Sequence, residues 1–386
     1  MKKIAVVISH PIQYYAPLFQ LLEKRNKLGL KVFYTWSQTN ESVEDKVFGK
    51  TIKWDIPLRE GYDYEFVDNV SKKPGSHHFF GIDNPTLIAK IEAFQPDAIL
   101  FFGWNFKSHL LAMRHFKGKI PVWFRGDSTL LDEVVGLKTT LRRLVLRKVY
   151  SYVDKAFFVG EASKAYFLKH GLKPDQLVCS PHAIDNDRFS DEKNPNYLID
   201  AKNWRESLGY SSEDILIVFS GKLESKKQPD FLIKAFNKAK KEGGELLKLL
   251  IIGSGPLEEK LKEFENDDIK FLTFQNQKRM PLVYRMADVY CLPSKGPGET
   301  WGLAVNESMA SGRSVIVSNK VGCVKDLVSQ NKTGFVFSYD NLLELKDILV
   351  NLNKSELKLM GEKARLKIMS YNFSNIVKAF ENELNE

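Results

Sequence analysis

A chain of 386 residues is longer than single hydrophobic cores usually grow, roughly 250–300 residues, so two domains are expected. With 43% hydrophobic and 27% charged residues, the composition excludes a fibrous, collagen-like or wholly disordered chain. The formal charge of +9 is concentrated in residues 101–150, a local basic surface that suits anionic lipid, nucleic acid or an acidic substrate.

Ile4 to Ile8 is a short apolar run, too short for a signal-peptide core. No stretch approaches the roughly 20 apolar residues of a membrane span. Cys179, Cys291 and Cys323 sit in or beside apolar runs without a C-x-x-C pair. They read as small buried residues in a reducing compartment, and the expected location is cytoplasmic.

In the first half, strands are predicted near 3–9, 31–36, 97–103, 120–125, 155–160 and 177–181. Helical periodicity occupies 14–27, 85–95, 105–117 and 137–151. The alternation predicts a parallel sheet covered on both faces. His10 ends the first strand; a ligand-facing position and a capping or core-edge role both suit it. Phe124-Arg125-Gly126-Asp127 closes a later strand, where Asp127 serves as a base or caps the next turn. His77 and His78 lie in a Pro/Gly loop and are expected in solvent.

The helix 137–151 carries Lys138, Arg142, Arg143, Arg147 and Lys148, with Leu137, Leu141, Leu144 and Val145 on another face. Two readings stand: a core-packed helix with a solvated basic face, or a helix lying on an anionic membrane. The polar segment 185–209 marks the domain junction.

The second half repeats the scheme. Strands are predicted at 214–220, 248–253, 269–274, 288–293, 314–318 and 334–338, and helices at 229–241, 256–265, 280–287, 302–311, 341–352 and 355–370. Phe219 to Gln228 leaves a strand and enters a helix. Lys222 and Lys227 could face a diphosphate there, or the loop could simply be solvated, as Lys226 is expected to be. Gly253-Ser254-Gly255-Pro256 is either an ordinary turn or a place where a ligand nears the backbone. It lacks the third glycine of a dinucleotide fingerprint.

The sharpest segment is Pro293-Ser294 through Glu299-Thr300-Trp301-Gly302-Leu303 to Glu307, at a strand end that opens a helix. Unpaired N–H groups and the positive dipole end suit phosphate there. Carboxylates only accept hydrogen bonds, so Glu299 and Glu307 suit sugar hydroxyls. The bland alternative is a helix-start residue and a solvated helix residue. The last helix, Phe373 to Leu384, presents Phe373, Ile376, Val377 and Phe380 at helical spacing.

Together these segments resemble the retaining glycosyltransferases of family 4 (glycosyl transferases group 1), over about residues 175–386. The family's paired glutamates, with seven residues between them, appear as Glu299 and Glu307. Its Gly-Arg-Leu strand exit with a later lysine appears as Gly221-Lys222-Leu223 with Lys227, its Gly-x-Gly-Pro turn as Gly253 to Pro256, and its Leu-Tyr-x-x-Ala-Asp helix as Val283 to Asp288. The Pro-Asn-Gly-Val-Asp hinge is similar to Pro181 to Asp185, with His182 and Ala183 replacing Asn and Gly.

The resemblance implies the GT-B fold, an α/β architecture of two Rossmann-like domains with parallel sheets facing a central cleft. It implies an acceptor domain at 1–185, a donor domain at 186–370 and a helix at 371–386 crossing back. It implies transfer from a nucleotide-diphosphate-sugar (UDP- or GDP-linked) to a glycan or lipid-linked acceptor. No metal or resident cofactor is implied. The expected setting is bacterial-type surface polysaccharide, lipopolysaccharide or glycolipid synthesis, in the cytoplasm or at the inner membrane face.

Carried over residue by residue, Glu307 would bind ribose and Glu299 the transferred sugar. The backbone of Thr300, Trp301, Gly302 and Leu303 would hold the diphosphate beside Gly221, Lys222, Lys227, Gly253 and Gly255. Phe274, Gln275 and Asn276 would lie near the base. His10 and Asp127 are the acceptor-side candidates, because the family's usual later histidine is missing. The rival readings are a sugar phosphorylase or nucleotide-sugar epimerase on the same fold, and a non-catalytic basic protein that binds membrane or nucleic acid. No nucleic-acid motif accompanies the charge, so nucleic acid is not the expected partner.

Overall fold

The computed structural model describes residues 1–36, 43–45, 50–52 and 54–385. It divides into two units. One holds Met1–Val43, Ile56–His182 and Phe373–Glu386; the other holds Glu44–Asp55 and Ala183–Asn372.

The first unit is built on β1 (Lys3–Ile8), β2 (Gly29–Tyr34), β5 (Tyr64–Phe66), β6 (Ala98–Phe102), β7 (Val122–Gly126), β8 (Lys155–Phe158) and β9 (Leu177–Cys179). Two short strands, β3 (Val43–Asp45) and β4 (Lys50–Ile52), pair separately. The main sheet runs β5-β2-β1-β6-β7-β8-β9, and its pairings are parallel. Its centre is apolar on both faces, with Ile4 to Ile8 and Ala98 to Phe101 buried throughout. That is why these strands read as continuous apolar runs rather than alternating ones. β5 escapes sequence reading because it is three residues long at a sheet edge.

The second unit holds β10 (Ile215–Ser220), β11 (Leu247–Ile252), β12 (Ile269–Leu272), β13 (Val289–Leu292), β14 (Ser314–Ser318) and β15 (Gly334–Phe337), in the order β12-β11-β10-β13-β14-β15. This sheet is also parallel, and the helices Pro229–Lys241 and Leu342–Val350 supply side chains to its core. The order of strands reverses between β10 and β13, the kind of switch point where open α/β sheets bind ligands.

One expectation is corrected, and two segments gain detail that their sequence leaves open. The polar stretch after residue 185 contains a helix, Tyr197–Ser207, whose Arg205 bonds Asp288 at 3.0 Å and the Asp214 carbonyl at 2.7 Å. Cys179 is exposed, because β9 is an edge strand, whereas Cys291 and Cys323 are buried. In the helix Leu137–Tyr150 the core is met by Leu146, Val149 and Tyr150, while Leu137, Leu141, Leu144 and Val145 are exposed. At about 100° per residue these two sets fall on opposite sides, so the helix packs on the core through 146/149/150 while the stripe 137/141/144/145 points to solvent.

The helix Phe373–Asn385 is built into the first unit. Phe380 packs against Phe157 with ring centroids 4.8 Å apart. Glu381 accepts two hydrogen bonds from Arg25, both at 2.7 Å, and Lys155 pairs with Glu383 at 2.7 Å. A bidentate Arg–carboxylate pair fixes direction as well as adding energy.

Candidate active site

In the second unit, the loops after β10 and β11 meet backbone to backbone. Gly221 N–H donates to the Ile252 carbonyl at 3.0 Å and Leu223 N–H to the Ser254 carbonyl at 3.0 Å. Gly253 holds φ at 144°, and a Cβ there would lie 1.9 Å from the Gly221 carbonyl oxygen. A Cβ on Gly255 would come within 2.6 Å of the Leu223 carbonyl oxygen. The glycines are therefore required by the meeting of two protein backbones, a reason the sequence reading did not weigh. Lys222 follows, half-buried at the strand exit, and Lys227 closes the short turn Ser225–Lys227. Lys226 pairs with Glu224 at 3.3 Å and is half-buried.

The loop after β13 folds onto this turn. Lys295 N–H donates to the Lys226 carbonyl at 2.9 Å. Ser294, fully buried, donates its hydroxyl to a Glu299 carboxylate oxygen at 2.7 Å, and Lys227 donates its ammonium to the same oxygen. So Lys227 and Glu299, 72 residues apart, form one ion pair. The bend is pinned from behind, where Gly322 N–H donates to the Glu299 carbonyl and Cys323 N–H to the Trp301 carbonyl, each at 3.0 Å. Trp301 is buried and donates its indole N–H to Asn306 at 2.8 Å. Gly302, at φ 92°, caps the helix Leu303–Ala310, and Leu303 and Ala304 remain half-exposed at its start.

Glu307 is 2% exposed, which rules out a solvated helix residue. It accepts from the Tyr284 hydroxyl at 2.6 Å, and the Arg188 guanidinium lies 3.9 Å away. Burial, and then the Glu307 charge, hold the Tyr284 phenol well above its ordinary range, so Tyr284 stays a donor. Ser220 lies beside it, 3.4 Å from the phenol oxygen. Phe274, Gln275 and Asn276 are half-buried, with Phe274 6.4 Å from the Trp54 ring.

In the first unit, β7 ends in a buried arginine. Arg125 is 2% exposed and donates to the Ser180 carbonyl at 2.6 Å and the Pro181 carbonyl at 3.2 Å. Asp127, two residues on, lies within electrostatic range of Arg125, Tyr15 and His182. Tyr15 stacks on His182, ring centroids 6.4 Å apart and planes 1° from parallel. Burial, reinforced by Arg125, pushes His182 down to about 4. His10 accepts or donates at 2.9 Å with Ser9, meets Trp36 edge-on at 5.7 Å, and is pushed by burial to about 4. Both histidines are thus neutral near pH 7. His77 and His78 are exposed.

The sequence reading gave no role to Ser294, Tyr284 or Arg188. A serine at the end of an apolar strand, and a tyrosine within an apolar helix turn, were the available signals. Arg188 carried none. Among the described residues no group of three or more His, Cys, Asp or Glu could hold a metal ion.

Residues 200–367 match the family Glycosyl transferases group 1. The group 1 region contains every donor-side candidate from Gly221 to Glu307 and lies outside His10 and Asp127. An uncharacterized glycosyltransferase of Haemophilus influenzae is 32% identical over 117 residues, 30% of this chain and 32% of the relative. The chain thus matches about a third of the length of that curated relative.

Among solved structures, Alr3699/HepE of Anabaena in complex with UDP aligns over 100% of both chains, with a TM-score of 0.71 at 16% identity. A glycosyltransferase from Rickettsia africae covers 100% of this chain and 99% of its own, at 0.70 and 15%. Sucrose-phosphate synthase from Thermosynechococcus elongatus covers 100% and 98%, at 0.70 and 16%. At these identities the likeness establishes the fold, GT-B, around the group 1 region.

Proposed function

We propose that the protein is a retaining glycosyltransferase that moves a sugar from a nucleotide-diphosphate-sugar to a hydroxyl of a glycan or lipid-linked acceptor, without a metal. The observation that carries this is the pairing of Lys227 with Glu299 at the start of the helix Leu303–Ala310, with Glu307 buried one turn further in. Two carboxylates able only to accept, an ammonium and a helix N-terminus are the complement of a sugar, a ribose and a diphosphate.

In this reading Glu307 accepts from the ribose hydroxyls while Tyr284 holds its other oxygen. Glu299 accepts from the transferred sugar. The bond from the anomeric carbon to the diphosphate oxygen breaks as the acceptor oxygen bonds to the same face of that carbon. The acceptor proton passes to the departing phosphate oxygen. Lys227, Lys222 and the N–H groups at Leu303 meet the charge that grows on the leaving group. The two lysines take the electrostatic duty that a divalent cation performs elsewhere. Surface polysaccharide, lipopolysaccharide or glycolipid synthesis is the setting such an acceptor belongs to.

The Anabaena structure holds UDP, so UDP and GDP are the first ligands to test by thermal stabilisation. A ligand at 100 times its Kd adds roughly 2.7 kcal/mol. Transfer from the matching sugar nucleotide, followed by NMR of the product's anomeric centre with and without EDTA, then tests the chemistry. Retention in the presence of EDTA supports the reading. Inversion, a requirement for inorganic phosphate, or loss of turnover on chelation would overturn it.

A further inference from the structure

The donor-side residues follow the carboxyl ends of β10, β11 and β13. At the opposite edge of the same sheet, where β10, β13 and β14 begin, the second unit holds a pocket of about 640 Å³. Its walls come from the helix Tyr197–Ser207, the end of the helix Met280–Met286, the corner at Gly312 and Arg313, and the start of the helix Lys354–Ile368. That is the volume of a small-molecule site.

The lining carries six lysines and arginines against three carboxylates. Most of these cations have partners in the protein. Arg205 bonds Asp288 at 3.0 Å, and Arg285 bonds Asp191 at 2.5 Å. Lys202 pairs with Glu206 at 3.8 Å, and Lys354 donates to the Asp214 carbonyl at 2.8 Å. Arg313 and Lys358 are different: among the described residues neither pairs with a carboxylate. Asp288 and Asp191 lie within electrostatic range of Arg313, but each already bonds another arginine. Arg313 donates from Nη2 to the Arg285 carbonyl at 2.9 Å, while its buried Nε meets no protein acceptor. The buried Nε of Arg205 meets none either. Two such donors on charged groups in one pocket are costly unless an acceptor comes from elsewhere.

Packing brings the second surplus cation to the first. The helix Lys354–Ile368 crosses the corner at Gly361, where a Cβ would lie 2.1 Å from the Gly312 carbonyl oxygen and 3.3 Å from the Arg313 Cα. Lys358 stands three residues before Gly361, on the same helix face. A guanidinium fork and an ammonium together call for nearly two negative charges and several acceptor oxygens. A phosphate group supplies about 1.5–2 charges at pH 7 and three strong acceptors. A carboxylate supplies one charge and two oxygens.

We propose that this pocket binds a phosphate group, free or as the monoester of a small polar molecule, on Arg313 and Lys358. The inference stands apart from the donor reading, because recognition at this edge needs no sugar nucleotide.

The test is calorimetric titration of the purified full chain with inorganic phosphate, ribose 5-phosphate and acetate at fixed ionic strength. Both phosphates should bind, with acetate at least roughly tenfold weaker. Tighter binding of ribose 5-phosphate would assign the site to a monoester, and equal binding to free phosphate. Arg313→Gln should lower phosphate affinity roughly tenfold or more, the worth of a hydrogen bond to a charged group. Lys358→Ser should lower it by up to about fivefold, the worth of an exposed ion pair. Lys358 is exposed, so that variant should melt with the parent, and it carries the test should Arg313→Gln fail to fold. The phosphate site should persist in Lys227→Ala, since Lys227 follows the other end of β10. Stabilisation of the parent by UDP reports on the donor reading separately. No phosphate binding to the parent, acetate binding as tight as phosphate, unchanged phosphate affinity in Lys358→Ser, or a site lost in Lys227→Ala and kept in Arg313→Gln would overturn the proposal.

Discussion

Lys227→Ala should cut turnover far more than it weakens nucleoside diphosphate binding, and the structure explains why the two effects separate. In the free protein the Lys227 ammonium already has an anionic partner, Glu299. An arriving diphosphate exchanges one anion for another at a side chain that is 21% exposed. The net ground-state gain is then no larger than that of an ordinary exposed pair, under about 1 kcal/mol, or roughly fivefold in Kd. In the transition state the leaving oxygen becomes more negative, and the ammonium meets charge absent from the ground state. Losing one such donor costs on the order of 10²–10³ in kcat. The substitution also leaves Glu299, 8% exposed, with the Ser294 hydroxyl at 2.7 Å as its remaining side-chain donor in this cluster. A stability loss of about 1–3 kcal/mol follows. Lys227→Ala combined with Glu299→Gln should restore much of that stability without restoring turnover, because the amide carries no charge to leave unpaired. Steady-state kinetics, calorimetric UDP binding and thermal melts on the three proteins decide the matter. A fall in UDP affinity as large as the fall in kcat would refute the leaving-group role of Lys227.

Glu307→Gln keeps an oxygen for the Tyr284 hydroxyl but loses the charge, so donor KM should rise roughly tenfold with kcat little changed, by steady-state assay. Asp127→Asn should lower kcat less than about tenfold if the departing phosphate takes the acceptor proton; near-complete loss would give that task to Asp127. Burial holds His10, His109 and His182 at about 4, below their unfolded value near 6.5, so the unfolded chain binds more protons between those limits and stability falls as pH drops through them. The loss is on the order of 1 kcal/mol per histidine by pH 5.5, measurable as urea midpoints from pH 7 to 5. His109→Gln should flatten part of that slope, since His109 is fixed between the Gly103 carbonyl and Thr35 at 2.8 Å each. Phe380→Ala removes a fully buried ring from the C-terminal helix and should cost about 3–5 kcal/mol in chemical denaturation.

Both sheets were legible because their strands are continuous apolar runs separated by helical periodicity, a signal confined to neighbours in sequence. The segment Ser294 to Glu307 was legible for a similar reason: a strand end, a bend and a helix start follow one another along the chain. What the sequence could not supply was pairing across distance. Lys227 with Glu299, Tyr284 with Glu307, and Arg188 beside Glu307 join residues 72, 23 and more than a hundred positions apart. The helix Leu137–Tyr150 shows a different limit. Its sequence shows two apolar sets, 137/141/144/145 and 146/149/150, and helical spacing alone does not say which meets the core. Gly253 shows a third kind of limit. The letter announces a permissive backbone, but the need comes from the Gly221 carbonyl, which sits on another strand.

The two glutamates of one bend thus sit in different electrostatic settings, and the difference bears on how a donor would be held. Glu307 faces a neutral phenol at 2.6 Å, with the Arg188 cation farther off at 3.9 Å. Its charge is nearly constant in surroundings through a reaction, which suits anchoring a ribose. Glu299 instead shares an oxygen with Lys227 and Ser294. Without ligand that cluster is close to neutral. A diphosphate would add about two negative charges beside it, more than Lys227 alone can offset once Glu299 is counted. Under the proposed chemistry the balance must come from Lys222 and from the roughly half charge at the start of the helix Leu303–Ala310. The demand increases as the sugar leaves, so the arrangement favours the separated ion pair over the intact donor. Under that chemistry a carboxylate beside Lys227 would keep the ammonium from being satisfied too well by the ground state.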